Sequence, residues 1–247
     1  MNKNIFELAA EAMEEEQHKA YLGYPASMKY LLLSTSTDSK IIGRKWPQTD
    51  YIDLSLAHQL KYHNLHPGTI AFDKIELYKS SKLTDLISTA AISAHAFVLS
   101  KKALDVFRYF KLGNHKIYPA TVYHKQNAHE YGILHFVNDL HGGLDFSKSK
   151  FYVANLLGGY EFDIDVTDEE DYKNKQQLVK TAQYPNTKKW WFVRLKWGVF
   201  KKGVSQPDIF NISSSNIEPY VSYDLAQAVV ENGLTGFEFK RAYNLQD

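Results

Sequence analysis

Apolar and polar residues follow their most legible pattern between Ile217 and Ala242. Leu225, Ala226, Val229 and Val230 recur at offsets that place one apolar stripe on a helix. Ser222 precedes them and is the expected N-cap, because its hydroxyl can accept from a free amide of the first turn; Asp224 then meets the positive end of the helix dipole. Asn232-Gly233 supplies the stop, since glycine enters the left-handed region without steric cost. Leu234-Thr235-Gly236 turns the chain into Phe237-Glu238-Phe239-Lys240, whose alternation predicts a strand with one buried face. The predicted unit is strand end, capped helix, tight turn, strand.

Phe97 to Ala120 has nearly the same layout. An apolar run leads to Ser100 as cap, and Ala103, Leu104, Phe107 and Phe110 form the helical stripe. Leu112-Gly113 ends it, and Lys116-Ile117-Tyr118 resumes an extended run. Two related helix-strand units about 120 residues apart lack the short period of a repeat array.

Elsewhere the pattern predicts a helix over residues 3–20, a strand over 28–34, a short helix within 51–65, a strand over 70–78 and a helix carrying Leu83, Leu86, Ile87 and Ala90. Strands are expected at 117–124, 131–139, 151–157, 190–200 and 208–212. In the stretch 190–200, Trp191, Val193, Leu195 and Trp197 share one face, opposite Arg194 and Lys196. Residues 163–171 read as an acidic loop and 172–189 as a polar linker. Strands dominate after residue 110 with helices inserted singly, so the expected class is α+β with a mixed or antiparallel sheet. The expected organisation is an N-terminal helix and strand region, 1–90, packed on an α+β domain, 91–247.

Composition narrows this picture little. With 44% hydrophobic and 23% charged residues the chain is an ordinary globular one, and at 247 residues it needs no covalent staples. The 29 basic residues nearly cancel the 28 acidic ones, so no global field draws nucleic acid or an anionic membrane. The lack of cysteine removes disulfides, thiol nucleophiles and cysteine-ligated metals. No 18-residue apolar run is present. Near the N-terminus, the stripe of Ile5, Leu8, Ala9, Ala12 and Met13 runs into Glu14-Glu15-Glu16, where a secretory signal needs an unbroken apolar centre. A cytoplasmic location is therefore expected.

Candidate chemistry is sparse. His58, His63 and His66, with Asp50 and Asp53 upstream, are the one histidine cluster that offers zinc-type ligands for a metal-dependent hydrolase, although His58 fits neither helical offset from His63. On a continuous strand His135, Asp139 and His141 would face one side and serve acid-base work; Gly142-Gly143 interrupts that reading. No nucleophile elbow, Walker loop or dinucleotide fingerprint occurs, and the acidic run lacks the oxygen spacing of a calcium loop. Trp190 and Trp191 beside Arg194 and Lys196 have the chemistry to stack on a nucleic acid, without the basic charge such binding requires. No cofactor is expected. Asp168, Glu169 and Asp171, which would steer a basic partner, and Trp190 and Trp191, which would anchor one, are the expected partner-binding residues.

Pro219 to Phe239, PYVSYDLAQAVVENGLTGFEF, resembles the closing segment of the eleventh numbered family of immunity proteins of bacterial polymorphic toxin systems, formerly a domain of unknown function. Three further stretches agree in order: Phe97 to Ser100 with its helix and Ile117 to Ala120; Tyr131 to Phe151 through Asp145, Ser147 and Ser149; and Pro207 to Phe210. The likeness covers about residues 95–242. The arginine that family carries after its isoleucine-phenylalanine pair is Asn211 here, and 172–189 looks like an insertion. The resemblance implies a non-enzymatic cytoplasmic protein that neutralises a cognate protein toxin by binding it.

Overall fold

The computed structural model describes residues 29–44, 46–61, 63–92, 95–215 and 218–246, so the helix expected over 3–20 lies outside the described residues. The first strands are β1 (Tyr30–Thr35), β2 (Thr49–Ile52), β3 (Phe72–Leu77), β4 (Leu86–Ile87) and β5 (Ala96–Ser100), with short helices α1 (Ser39–Ile42) and α2 (Leu54–Ala57) between them. Helix α3 (Lys101–Phe107) leads to the long strands β6 (His115–His124) and β7 (Asn127–Phe136). Then come β8 (Lys150–Ala154), β9 (Tyr160–Ile164), α4 (Glu169–Lys180) and β10 (Phe192–Trp197). The chain closes with β11 (Ile209–Phe210), β12 (Tyr220–Ser222), α5 (Tyr223–Glu231) and β13 (Phe237–Arg241).

The fold is α+β. Among the described residues, three sheets run in the orders β2-β3-β6-β7-β5-β4, β11-β12-β1-β13 and β10-β8-β9. Their pairings are antiparallel except β3 with β6, which is parallel. The six-stranded sheet is covered on both faces. Leu86, Phe97, Leu99, Leu134 and Phe136 join one core cluster, while Ile87, Ala96, Val98, Tyr131 and Ile133 join another. This corrects the helix expected around Leu83 to Ala90. Leu86 and Ile87 are both buried because successive strand side chains enter opposite layers, and two adjacent apolar residues mimic a helical stripe.

The two helix-strand units do match. Strands β5 and β6 flank β7 and are antiparallel to it; β12 and β13 flank β1 in the same way. Each first strand also carries a two-residue edge strand, β4 on β5 and β11 on β12. Ser100 Oγ accepts from Ala103 N at 3.1 Å, and Ser222 Oγ accepts from Leu225 N at 3.2 Å, so the expected caps both form. The helices bring their stripes together: Ala103, Leu104 and Phe107 share a buried cluster with Leu225, Ala226 and Val229. Each large apolar side chain so buried contributes about 1.5–3 kcal/mol.

The units also hold each other reciprocally. Asp85, immediately before β4, accepts from Ser100 Oγ (2.7 Å) in its own unit and from Thr235 N (2.8 Å) and Oγ1 (3.1 Å) in the other. Asp208, immediately before β11, accepts from Lys111 N at 2.7 Å, reaching back to the turn after α3. Hydrogen bonds to a charged acceptor contribute about 1.5–3 kcal/mol each at most and do not add fully. Asp85→Ala is therefore expected to cost about 3 kcal/mol and Asp208→Ala about 1–2 kcal/mol. Urea midpoints measured at constant slope check that order, and a larger loss for Asp208→Ala would contradict the unequal clamps.

Candidate partner-binding site

Among the described residues, five of the nine exposed large apolar side chains lie in or beside the three-stranded sheet and α4. Val153, Phe151, Val193, Leu195 and Ile164 fill its inner side, with Val179 and Tyr172 of α4 against them. The register pairs Phe192 with Ala154, so β10 begins, directly after Trp190 and Trp191, opposite the end of β8 that leads into the turn joining β8 to β9. Asn155 shapes that turn. Its Oδ1 accepts from Leu157 N (2.9 Å) and Gly159 N (3.0 Å), and its Nδ2 donates to Glu161 at 2.8 Å. With the backbone so held, Leu156 and Leu157 project into solvent.

The result is an apolar tip. Leu157 is 94% exposed, Leu156 65%, Trp190 58% and Tyr160 57%. Trp190 has φ of 68°, a left-handed conformation costly for a bulky side chain, and its N–H donates to Lys180 O at 3.0 Å at the end of α4. Leu178, two residues before that carbonyl, is exposed as well. Single exposed apolar residues are ordinary, but several at one end of one sheet mark a contact surface.

The expected acidic contact takes a different form. Asp163 and Ile164 belong to β9, and residues 169–180 form α4 where a loop and a linker were expected. Asp168 is the N-cap, accepting from Asp171 N at 2.9 Å. Asp171 accepts from Thr167 N (2.9 Å) and Lys175 Nζ (2.7 Å), and Glu169 pairs with Lys173 at 2.7 Å. Burial raises the Asp171 carboxyl pKa, but the Lys175 and Thr167 hydrogen bonds outweigh it and hold that pKa below the usual value; Lys173 does the same for Glu169. These carboxylates thus close the start of the helix, and a 12-residue helix sets them roughly 18 Å from its Trp190 end. Trp191 turns inward and packs against the core, with Lys188 Nζ 5.9 Å from its ring. Of the five expected residues, Trp190 alone belongs to the tip.

The histidines do not assemble a centre. His58 and His63 are exposed, His66 Nδ1 lies 3.3 Å from Gly68 O, and Asp53 caps α2 by accepting from Ser55 N (2.8 Å) and Leu56 N (3.2 Å). Among the described residues no three His, Asp or Glu side chains converge on a metal position. His135 and His141 also part company. Strand β7 ends at Phe136, and Asp139 bends away to accept from His141 N and Ser213 N, each at 3.0 Å. His135 Nε2 lies 2.9 Å from Lys61 O, while His141 Nδ1 meets Ser214 Oγ at 2.8 Å between the rings of Phe146 and Tyr172. Both imidazoles are buried in separate surroundings, so the expected shared acid-base face does not form.

The cations of β10 are engaged within the fold. Arg194 Nη1 donates to Ser215 O at 3.0 Å, and Lys196 Nζ reaches both oxygens of Asp163 at 2.9 Å. Among the described residues no helix is long and apolar enough to cross a membrane. No protein-family model matches this chain, and no curated protein matches it.

Proposed function

We propose that this chain is a non-enzymatic immunity protein that binds a cognate bacterial protein toxin in the cytoplasm and neutralises it. The observation that carries the reading is the apolar tip, where Leu156, Leu157, Tyr160 and Trp190 are exposed together on a sheet whose other face is packed. Aromatic and aliphatic anchors of this kind concentrate binding energy once a partner excludes water from them. The resemblance of Pro219 to Phe239 and the ordered stretches before it supplies the class of partner. Asp168, Glu169 and Asp171 add a negative helix end that speeds encounter with a basic toxin without forming the anchor.

The test is growth rescue. A protein captured from the native cell with this chain as bait is expressed alone, where it should arrest growth, and then together with the wild-type chain, which should restore it. Leu157→Asp and Trp190→Ala should each weaken binding by about 100-fold and abolish rescue at matched expression, with unchanged circular dichroism. Full rescue by both variants would remove the tip from the interface. A captured partner that leaves growth unaffected would overturn the toxin assignment.

A further inference from the structure

We propose that the outer edge of β9 docks an extended basic segment of the partner, which adds as a fourth strand to the β10-β8-β9 sheet. This rests on the binding role proposed above. The two edges of the sheet are treated differently by the fold. On β10, Val193 N donates to Gln176 Oε1 at 2.6 Å, Val193 O accepts from Tyr172 OH at 3.2 Å, and Leu195 N donates to Ser214 O at 2.6 Å. That edge is sealed by side chains of α4 and by the chain near Ser214. Among the described residues no strand lies beyond β9, so its alternate amides and carbonyls face outward. An open strand edge is a template for strand addition.

The side chains define the occupant. Along 160–166, Phe162 is half-buried and Ile164 and Val166 are buried, while Glu161, Asp163 and Asp165 are exposed. A second copy of β9 paired to this edge would oppose carboxylate to carboxylate, which disfavours self-association. An incoming strand with lysine or arginine at alternate positions instead sets its cationic side chains opposite those acidic residues, with Cβ atoms about 5 Å apart. Within the fold Lys196 reaches Asp163 from β10 across β8, and Asn155 Nδ2 donates to Glu161, so an incoming cation shares Asp163 with Lys196 and meets Asp165 at the end of the strand. The turn with Leu156 and Leu157 opens directly into β9, so one apolar side chain at the end of the segment reaches the tip.

An acetylated Lys-Val-Lys-Thr-Lys-Val-Lys peptide is the probe, titrated into the full chain by calorimetry and amide NMR. The expected result is saturable 1:1 binding with slowed amide exchange across Tyr160–Ile164. The same peptide with every backbone amide N-methylated should bind at least about tenfold more weakly, and Asp163→Asn with Asp165→Asn should weaken the parent peptide by a similar factor. Equal binding of the methylated peptide, protection elsewhere, or no saturation at millimolar peptide would each overturn strand addition. The toxin is absent from this experiment, so failure here with rescue still dependent on Leu157 and Trp190 removes the edge and keeps the binding role; loss of growth arrest by the captured partner removes the role whatever the peptide does.

Discussion

Gly236→Ala is expected to destabilise the protein by about 4 kcal/mol or more, against about 1 kcal/mol for Gly233→Ala three residues earlier. Both glycines have positive φ, 89° and 59°, so a side chain pays a conformational penalty at either. Their surroundings separate them. A Cβ at Gly233 meets nothing within 4 Å, whereas one at Gly236 overlaps the Leu86 carbonyl oxygen and lies 2.9 Å from Thr84 Cβ and Oγ1. Relief by movement is blocked on both sides. Gly236 O accepts from Ser36 N at 2.8 Å, Thr235 O accepts from Leu86 N at 3.0 Å, and Thr84 Oγ1 holds the same Leu86 oxygen at 2.7 Å. Shifting the turn to admit a methyl therefore breaks the seam between the two helix-strand units. Urea unfolding of both variants at constant slope is the check, and equal midpoint shifts would show that the close approach carries no energy.

The seam also shows what the sequence could and could not convey. Ser100 and Ser222 were readable as caps, and the stripes behind them as helices, because each signal is local and repeats at 3.6 residues. The likeness of the two units was readable for the same reason. Their reciprocity was not: Asp85 bonds Thr235 across 150 positions, and a single aspartate before an apolar pair carries no mark of its distant partner. Leu83 to Ala90 misled in a physical way, since a strand buried on both faces presents consecutive apolar residues and erases the alternation that identifies a strand.

The tip was half legible. Trp190 stands out in the sequence as an aromatic beside a polar tract, and the alternation predicts the inward face of β10 with Val193, Leu195 and Trp197, all buried. Helix α4 escaped because one of its inward positions is Gln176, which serves the fold by accepting from Val193 N instead of by packing. With that helix missing, the carboxylates of 168–171 read as a free acidic loop, when Asp168 is a cap and Asp171 is tied to Lys175. By their apolar run Leu156 and Leu157 read as the end of a strand. The signal against that was Asn155 before them and Gly158-Gly159 after, a turn composition that leaves two leucines no core to enter.

Stability is expected to fall steeply as pH drops below about 6.5, driven by His95, His135 and His141. Burial pushes all three imidazole pKa values below the usual histidine value; His135 adds to the effect at His95, and Asp139 and Glu169 oppose it at His141 without cancelling it. His135 Nε2 meets the Lys61 carbonyl, but among the described residues its buried Nδ1 has no partner, and neither has His141 Nε2, so protonation would add a donor with no acceptor there. The folded state thus keeps these rings neutral where the unfolded chain protonates them. Their contribution is complete above about pH 6.5 and is lost as pH falls, until the folded rings themselves titrate and the slope ends. Each proton taken up on unfolding is worth about 1.4 kcal/mol per pH unit, so three give at most about 4 kcal/mol per unit. The carboxyls of Glu169 and Asp171 are shifted down, so their contribution stays intact until about pH 4 and fails only below it, which separates the two windows. Urea unfolding from pH 8 to pH 5 measures the slope directly. His135→Gln preserves a donor toward Lys61 O and removes one proton from the balance, so its slope should be shallower by up to about 1.4 kcal/mol per unit. A wild-type stability that is flat across this range would mean that the buried imidazoles charge as readily in the folded protein as in the open chain.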